Sequence, residues 1–273
     1  MSNSFSLAGR VAVVTGGYGV LGGSMANGLA RAGARVAILG RNAAHAEAKV
    51  LELRNAGHDA MTLVADVLDV DSLTAAREQL LAAWGRVDIL LNTAGGNVAR
   101  ARTDRTTVFA LPFDAFDEAV RLNLHGTVYP SLIFGEAMAR PGAEARGSIV
   151  NISSMAALQA ISGVMAYSVA KAAIDNFTRW MAVDLAKRCG PGLRVNAIAP
   201  GFFVSTQNRA VLIEPDGSPT ERARTILEQT PMGRFGEAHE VDGIMQFLCS
   251  DAASFITGTV IPVDGGFSAF SGV

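Results

Sequence analysis

Nine residues near the start of the chain constrain its fold more than any other stretch. Thr15 to Gly23 reads TGGYGVLGG and follows directly on the apolar run VAVV. Glycine loses more backbone freedom on folding than any other residue, so this density is costly unless something must approach the main chain. Gly17, Gly19 and Gly22 spell GxGxxG between a predicted strand and a predicted helix. Missing side chains let the tight turn form and let a pyrophosphate reach the helix N-terminus, whose amides and dipole favour an anion. The run therefore predicts that the chain opens with a βαβ dinucleotide-binding unit.

The rest of the chain continues that rhythm. RVAVVTG, ARVAILG, AMTLVAD, VDILLNTAG, GSIVNIS, RVNAIAPG and GTVIPVDGG are predicted strands, and most are apolar on both faces. Such strands suit a parallel sheet covered on both sides. Amphipathic segments lie between them, including NAAHAEAKVLELRNAG, DSLTAAREQLLAAWG and AYSVAKAAIDNFTRWMAVDLAKR. We expect an α/β fold: one Rossmann-type doubly wound domain over residues 1–273, with a seven-stranded, mostly parallel sheet and helices on both faces. Two segments break the rhythm, roughly residues 95–114 and 201–236. Both follow the carboxyl end of a strand, the edge where open α/β sheets bind ligands. The stretch 202–236 is expected to be a substrate loop that closes over the site.

Composition removes several alternatives. Hydrophobic residues are 49% of 273, enough for a large core without staples, and the formal net charge is −2 with no basic run. A nucleic-acid partner is not expected. No stretch reaches eighteen apolar residues and MSNSFSLAGR has no apolar core, so neither a membrane span nor a signal peptide is expected. The two cysteines, Cys189 and Cys249, lack CxxC spacing. They read as reduced thiols of a cytoplasmic protein that binds no metal.

The cofactor can be narrowed. An acid at the end of the second strand would accept a hydrogen bond from the adenosine ribose. This chain has Gly40 and then Arg41. Nothing there repels a 2′-phosphate, and Arg41 offers it a fork, so NADP is preferred over NAD.

AYSVAK places Tyr167 and Lys171 four residues apart on one helix face, and Ser154 stands thirteen residues before the tyrosine. With TGGYGVLG, NTAG, Asn123 in RLNLHGT, Pro200–Gly201 and VDGG, this set resembles the short-chain dehydrogenase/reductase family over nearly the whole chain. One departure is visible: the family's usual TGxxxGxG would place glycine where Val20 stands. The resemblance implies a nicotinamide-dependent oxidoreductase. Tyr167 would be the general acid or base, Ser154 would bond the substrate oxygen, Lys171 would bind the nicotinamide ribose, and Asn123 would hold a relay water. Cofactor contacts would come from Gly16, Gly17, Gly19, Val20, Leu21 and Gly22. Asp66 and Val67 would lie at the adenine, with Asn92, Ala94, Gly95, Pro200 and Gly201 completing the cleft. The physics fits: an ammonium about 4 Å from the phenol, at an effective dielectric of about 20, favours phenolate by roughly 4 kcal/mol. A depressed tyrosine pKa is therefore expected.

The stretches AGGN, PGFF…QNR and TPMGRFGE, with the tail VIPVDGGFSAFSGV, resemble the D-mannonate oxidoreductase (fructuronate reductase) branch of the family. That implies a sugar-acid substrate. Arg209 would grip its carboxylate, with Asn97, Gln207 and Asn208 on its hydroxyls; Arg100, Arg102 and Arg105 are further cations nearby. The alternatives are a ketoreductase for another polyol, gluconate or 3-oxoacyl substrate, or an inactive cofactor-binding regulator. Family members usually pair through the helix after Tyr167. Val169, Ala173, Phe177, Trp180, Met181 and Leu185 give that helix more apolar surface than one sheet face needs, so a homotetramer is expected.

Overall fold

The computed structural model describes residues 4–104, 106–139, 145–205 and 208–272. Among these, seven strands form one parallel sheet in the order β3-β2-β1-β4-β5-β6-β7. They are β1 (Val11–Thr15), β2 (Arg35–Gly40), β3 (Ala60–Val64), β4 (Ile89–Asn92), β5 (Gly147–Ile152), β6 (Leu193–Pro200) and β7 (Val260–Val263). Every pairing is parallel, so the expected "mostly parallel" sheet is parallel throughout. The order reverses between β1 and β4, the switch point at which such sheets open a ligand crevice.

The helices are α1 (Val20–Arg31), α2 (Ala43–Asn55), α3 (Val70–Trp84), α4 (Phe113–Val120), α5 (Gly126–Met138), α6 (Met165–Cys189), α7 (Arg209–Leu212), α8 (Glu221–Gln229) and α9 (Asp242–Cys249). Strand alternation sorts the core into two layers. Ala12, Val14, Val36 and Ile38 point to one face and meet Met25 and Leu29 of α1, Val50 and Leu53 of α2, and Met245 of α9. Val11, Val13, Ala37 and Leu39 point to the other, with Leu73 and Leu80 of α3, Phe134 of α5 and Met181 of α6. Local chemistry sets the helix limits. The Asp69 side chain caps α3 by accepting from the Asp71 and Ser72 amides, and Gly85 ends it at φ 75°.

The long segment after β6 builds its own small core from Leu212, Ala223 and Ile226, with Phe202, Val204, Ile213 and Phe235 against it. Its ends are tied together: the Gly236 amide donates to the Phe202 carbonyl at 2.9 Å.

Candidate active site

The glycine turn leaves β1 at Gly16, whose φ is 63°. A Cβ there would stand 3.0 Å from Ala94 Cα, and one on Gly22 would stand 2.5 Å from Thr93 Oγ1 and 2.6 Å from the Gly16 carbonyl. Gly17 is a packing glycine, since its Cβ would meet the Val14 carbonyl at 3.0 Å. The TGG and NTAG stretches are stitched together: Thr15 Oγ1 accepts from the Thr93 and Ala94 amides at 3.1 and 3.2 Å. Gly19 caps α1 with no side chain, and the first turn holds no acid. The free amides of α1 therefore face a side-chain-free cradle, which fits a dinucleotide pyrophosphate.

Beside the cradle lies a cavity of about 340 Å³, lined by Gly16, Gly19, Val20, Leu21 and Gly22 of the turn. Gly95, Pro200 and Gly201 line it as well, as do Ser154, Tyr167 and Lys171. Residues far apart in sequence meet here because β1, β4, β5 and β6 all deliver their carboxyl ends to one edge. Ser154 follows β5 and accepts the Ala156 amide at 3.1 Å. Tyr167 and Lys171 sit in the first two turns of α6, with Lys171 Nζ 5.5 Å from the tyrosine ring centre.

The electrostatics correct one expectation. Burial pushes the Tyr167 phenol up, and its hydrogen bond with Ser154 only partly opposes this. The lysine-depressed tyrosine foreseen above is therefore not what the structure holds. Lys171 is itself 4% exposed. Burial lowers its pKa to about 8, and Asp175 one turn on pulls the other way. The Lys171 ammonium donates to the Ile152 carbonyl at 2.6 Å. Asp175 was not singled out in the sequence, although its i+4 spacing from Lys171 was a usable signal. It is buried, accepts from Ser153 Oγ, and burial pushes its carboxyl up.

Other expectations shift as well. Asn123, on a π-helical turn (Arg121–His125), donates to the Gly96 and Ala119 carbonyls at 2.9 Å and accepts the Gly96 amide at 3.0 Å. Both amide protons of its side chain are engaged, so it locks the loop after β4. Asn92 points into the sheet layer, donating to Ser131 Oγ and Asn151 Oδ1 at 2.8 and 2.9 Å, and does not reach the cavity. Asp66 turns its own chain by accepting the Leu68 amide at 2.9 Å, while Val67 packs beneath Gly126. Arg41 is exposed at the end of β2, and the Tyr18 ring packs directly on Gly40 beside it. Arg41, Asp66 and Val67 lie outside the cavity wall.

Of the expected substrate contacts, Asn97 and Asn208 line the cavity. The Asn208 amide is committed to its own loop, accepting from the Ser205 amide at 2.7 Å and donating to the Phe203 carbonyl at 2.8 Å. Arg209 is exposed on α7 and is not in the wall, because the short helix turns it outward. Gln207 and Arg105 lie outside the described residues. Arg100 pairs with Asp114 on the surface. Among the described residues two arginines do line the cavity, Arg102 and Arg222. Arg222 was not singled out in the sequence, although a cation in the first turn of a helix was a usable signal.

The family model for enoyl-(acyl carrier protein) reductases matches residues 19–268. An uncharacterized oxidoreductase of Bacillus subtilis, UxuB, is 45% identical, with 98% of each chain covered. The structure of a provisionally assigned D-mannonate oxidoreductase of Haemophilus influenzae, with bound NAD, superposes with a TM-score of 0.91 at 40% identity over 98% of each chain. That of a gluconate 5-dehydrogenase of Burkholderia cenocepacia, in complex with NADP and tartrate, does so at 0.87, with 31% identity and 98% coverage of each chain. With the seven-stranded order, the glycine cradle and the Ser154, Tyr167 and Lys171 cluster already established, the chain belongs to the short-chain dehydrogenase/reductase family of NAD(P)-dependent oxidoreductases.

Proposed function

We propose that the protein interconverts D-fructuronate and D-mannonate, or a sugar acid of the same shape, using NADP(H) in preference to NAD(H). The observation that carries this reading is the cavity: it joins Ser154 and Tyr167 to a wall that also holds arginines, the side chain suited to a carboxylate. The likeness to the Haemophilus and Burkholderia proteins supports the substrate class. Gly40 and Arg41 support NADP, although the Haemophilus structure carries NAD.

The dinucleotide, when bound, supplies or accepts the hydride. Tyr167, its phenol kept protonated by burial, donates the proton to the carbonyl oxygen in reduction and takes it back in oxidation. Ser154 holds that oxygen against the phenol. Lys171, fixed by the Ile152 carbonyl, holds its charge 5.5 Å from the centre of the tyrosine ring. Asn123 keeps the Gly95–Gly96 backbone in place. The segment 202–236 closes over the substrate and excludes water. Among the described residues no helix is long and apolar enough to cross a membrane, and we place the protein in the cytoplasm. It works as a homotetramer, or a dimer, through the exposed Val169, Trp180 and Val183 of α6.

Initial rates with D-fructuronate under NADPH and NADH test the reading, beside a panel of D-fructose, 5-keto-D-gluconate and a 3-oxoacyl thioester. Fast turnover of the thioester and none of the sugar acids would refute it. An excess of NADH rate over NADPH rate would reverse the cofactor preference alone.

A further inference from the structure

The charge around the cavity is uneven. Arg102 is matched within its own loop: its Nε and Nη2 donate to the two Asp104 oxygens at 3.0 and 2.8 Å. Lys171 is buried and held by the Ile152 carbonyl. Arg222 differs from both. It is half-buried in the cavity wall, and among the described residues no carboxylate lies within ion-pair reach of it. Its guanidinium reaches only the Ser162 hydroxyl and carbonyl, at 3.4 and 3.3 Å, near the long limit for such bonds.

Its position on the helix points the same way. Arg222 stands in the first turn of α8, after the Thr220 cap. A cation there opposes the helix dipole and is locally unfavourable. A local rule broken without a compensating partner marks a residue kept for binding. The guanidinium therefore stands in the cavity wall beside Ser162, just ahead of the tyrosine's helix.

We propose that Arg222 is the receptor for the substrate carboxylate, taking the role that the sequence had suggested for Arg209. This rests on the sugar-acid reading and names the side chain that enforces it. The planar fork accepts a carboxylate through two parallel bonds. The long contacts to Ser162 are surrendered at little cost when the anion arrives. Because α8 belongs to the segment 202–236, the same ion pair draws that segment onto the substrate. A neutral ketose lacks the handle and leaves the segment unanchored.

The test compares wild type, Arg222→Gln, Arg222→Lys and the neighbouring Arg224→Gln. Arg224 is exposed and bonds only the Pro219 carbonyl at 2.8 Å among the described residues. Steady-state rates are taken with D-fructuronate and with D-fructose, which differ at one terminal carbon. Calorimetry gives the Kd of D-mannonate on the dinucleotide-loaded protein. Loss of a charged hydrogen-bonding partner predicts a KM for fructuronate and a Kd for mannonate raised about tenfold or more in Arg222→Gln, with kcat changed far less. Arg222→Lys should fall between, and Arg224→Gln should match wild type. Wild-type KM and Kd in Arg222→Gln overturn the assignment, and leave the sugar-acid reading standing if fructuronate still outruns fructose. Equal turnover of fructuronate and fructose by wild type overturns both.

Discussion

Replacing Lys171 by methionine should abolish turnover without destabilising the free protein, and the balance can be worked from the site. Burial lowers the ammonium's pKa from 10.5 to about 8. At about 1.36 kcal/mol per unit, the folded chain at neutral pH carries roughly 3 kcal/mol of desolvation cost that methionine removes. Against this, the Ile152 carbonyl loses a donor at 2.6 Å, which costs about 1–3 kcal/mol. The variant at pH 7 should therefore lie between wild-type stability and about 2 kcal/mol above it.

The pH dependence isolates the lysine. Its folded pKa is below its unfolded value, so between about pH 8 and 10.5 the unfolded chain binds more protons. Wild-type stability from this group rises with pH through that window, and the cost is fully present only below it. From pH 7 to pH 9 the wild type should regain on the order of 1 kcal/mol that the methionine variant has no means to gain. Urea unfolding of both dinucleotide-free proteins at pH 7, 8 and 9 measures the gap. A gap that stays constant would falsify the claim that this ammonium is strained in the folded state.

Three further outcomes follow from the same geometry. Asp175→Asn removes the charge that raises the Lys171 pKa, so the pH–rate profile should lose activity at lower pH on its alkaline side; an unmoved limb contradicts the coupling. Gly22→Ala places a Cβ 2.5 Å from Thr93 Oγ1 and 2.6 Å from the Gly16 carbonyl. It should cost about 1–3 kcal/mol of stability and weaken dinucleotide binding at least tenfold by fluorescence titration; a wild-type Kd would show that the cradle has slack. Trp180 is 66% exposed on α6, and Trp180→Glu should yield a monomer by light scattering; an unchanged mass would place the subunit contact elsewhere.

The sequence alone determined whatever depends on neighbours in the chain. Strands apolar on both faces identified the parallel sheet; six predicted strands contain an observed one, and β6 starts at Leu193, one residue before its predicted start. The glycine turn was legible because a tight bend needs residues without Cβ at fixed spacing. Tyr167 and Lys171 were legible because i and i+4 share a face on any helix. Tertiary structure decided what depends on burial and on the path of a long loop. Burial reversed the expected shift of the Tyr167 phenol, since desolvation is set by every element around the ring and not by the lysine alone. The fold turned Asn92 into the sheet and Arg209 into solvent, and brought Arg222 to the cavity from α8. No local pattern shows which way these side chains point. Whether Arg209 or Arg222 reaches the cavity depends on how α7 and α8 pack on the apolar cluster of Leu212, Ala223 and Ile226, whose members are distant from Tyr167 in sequence.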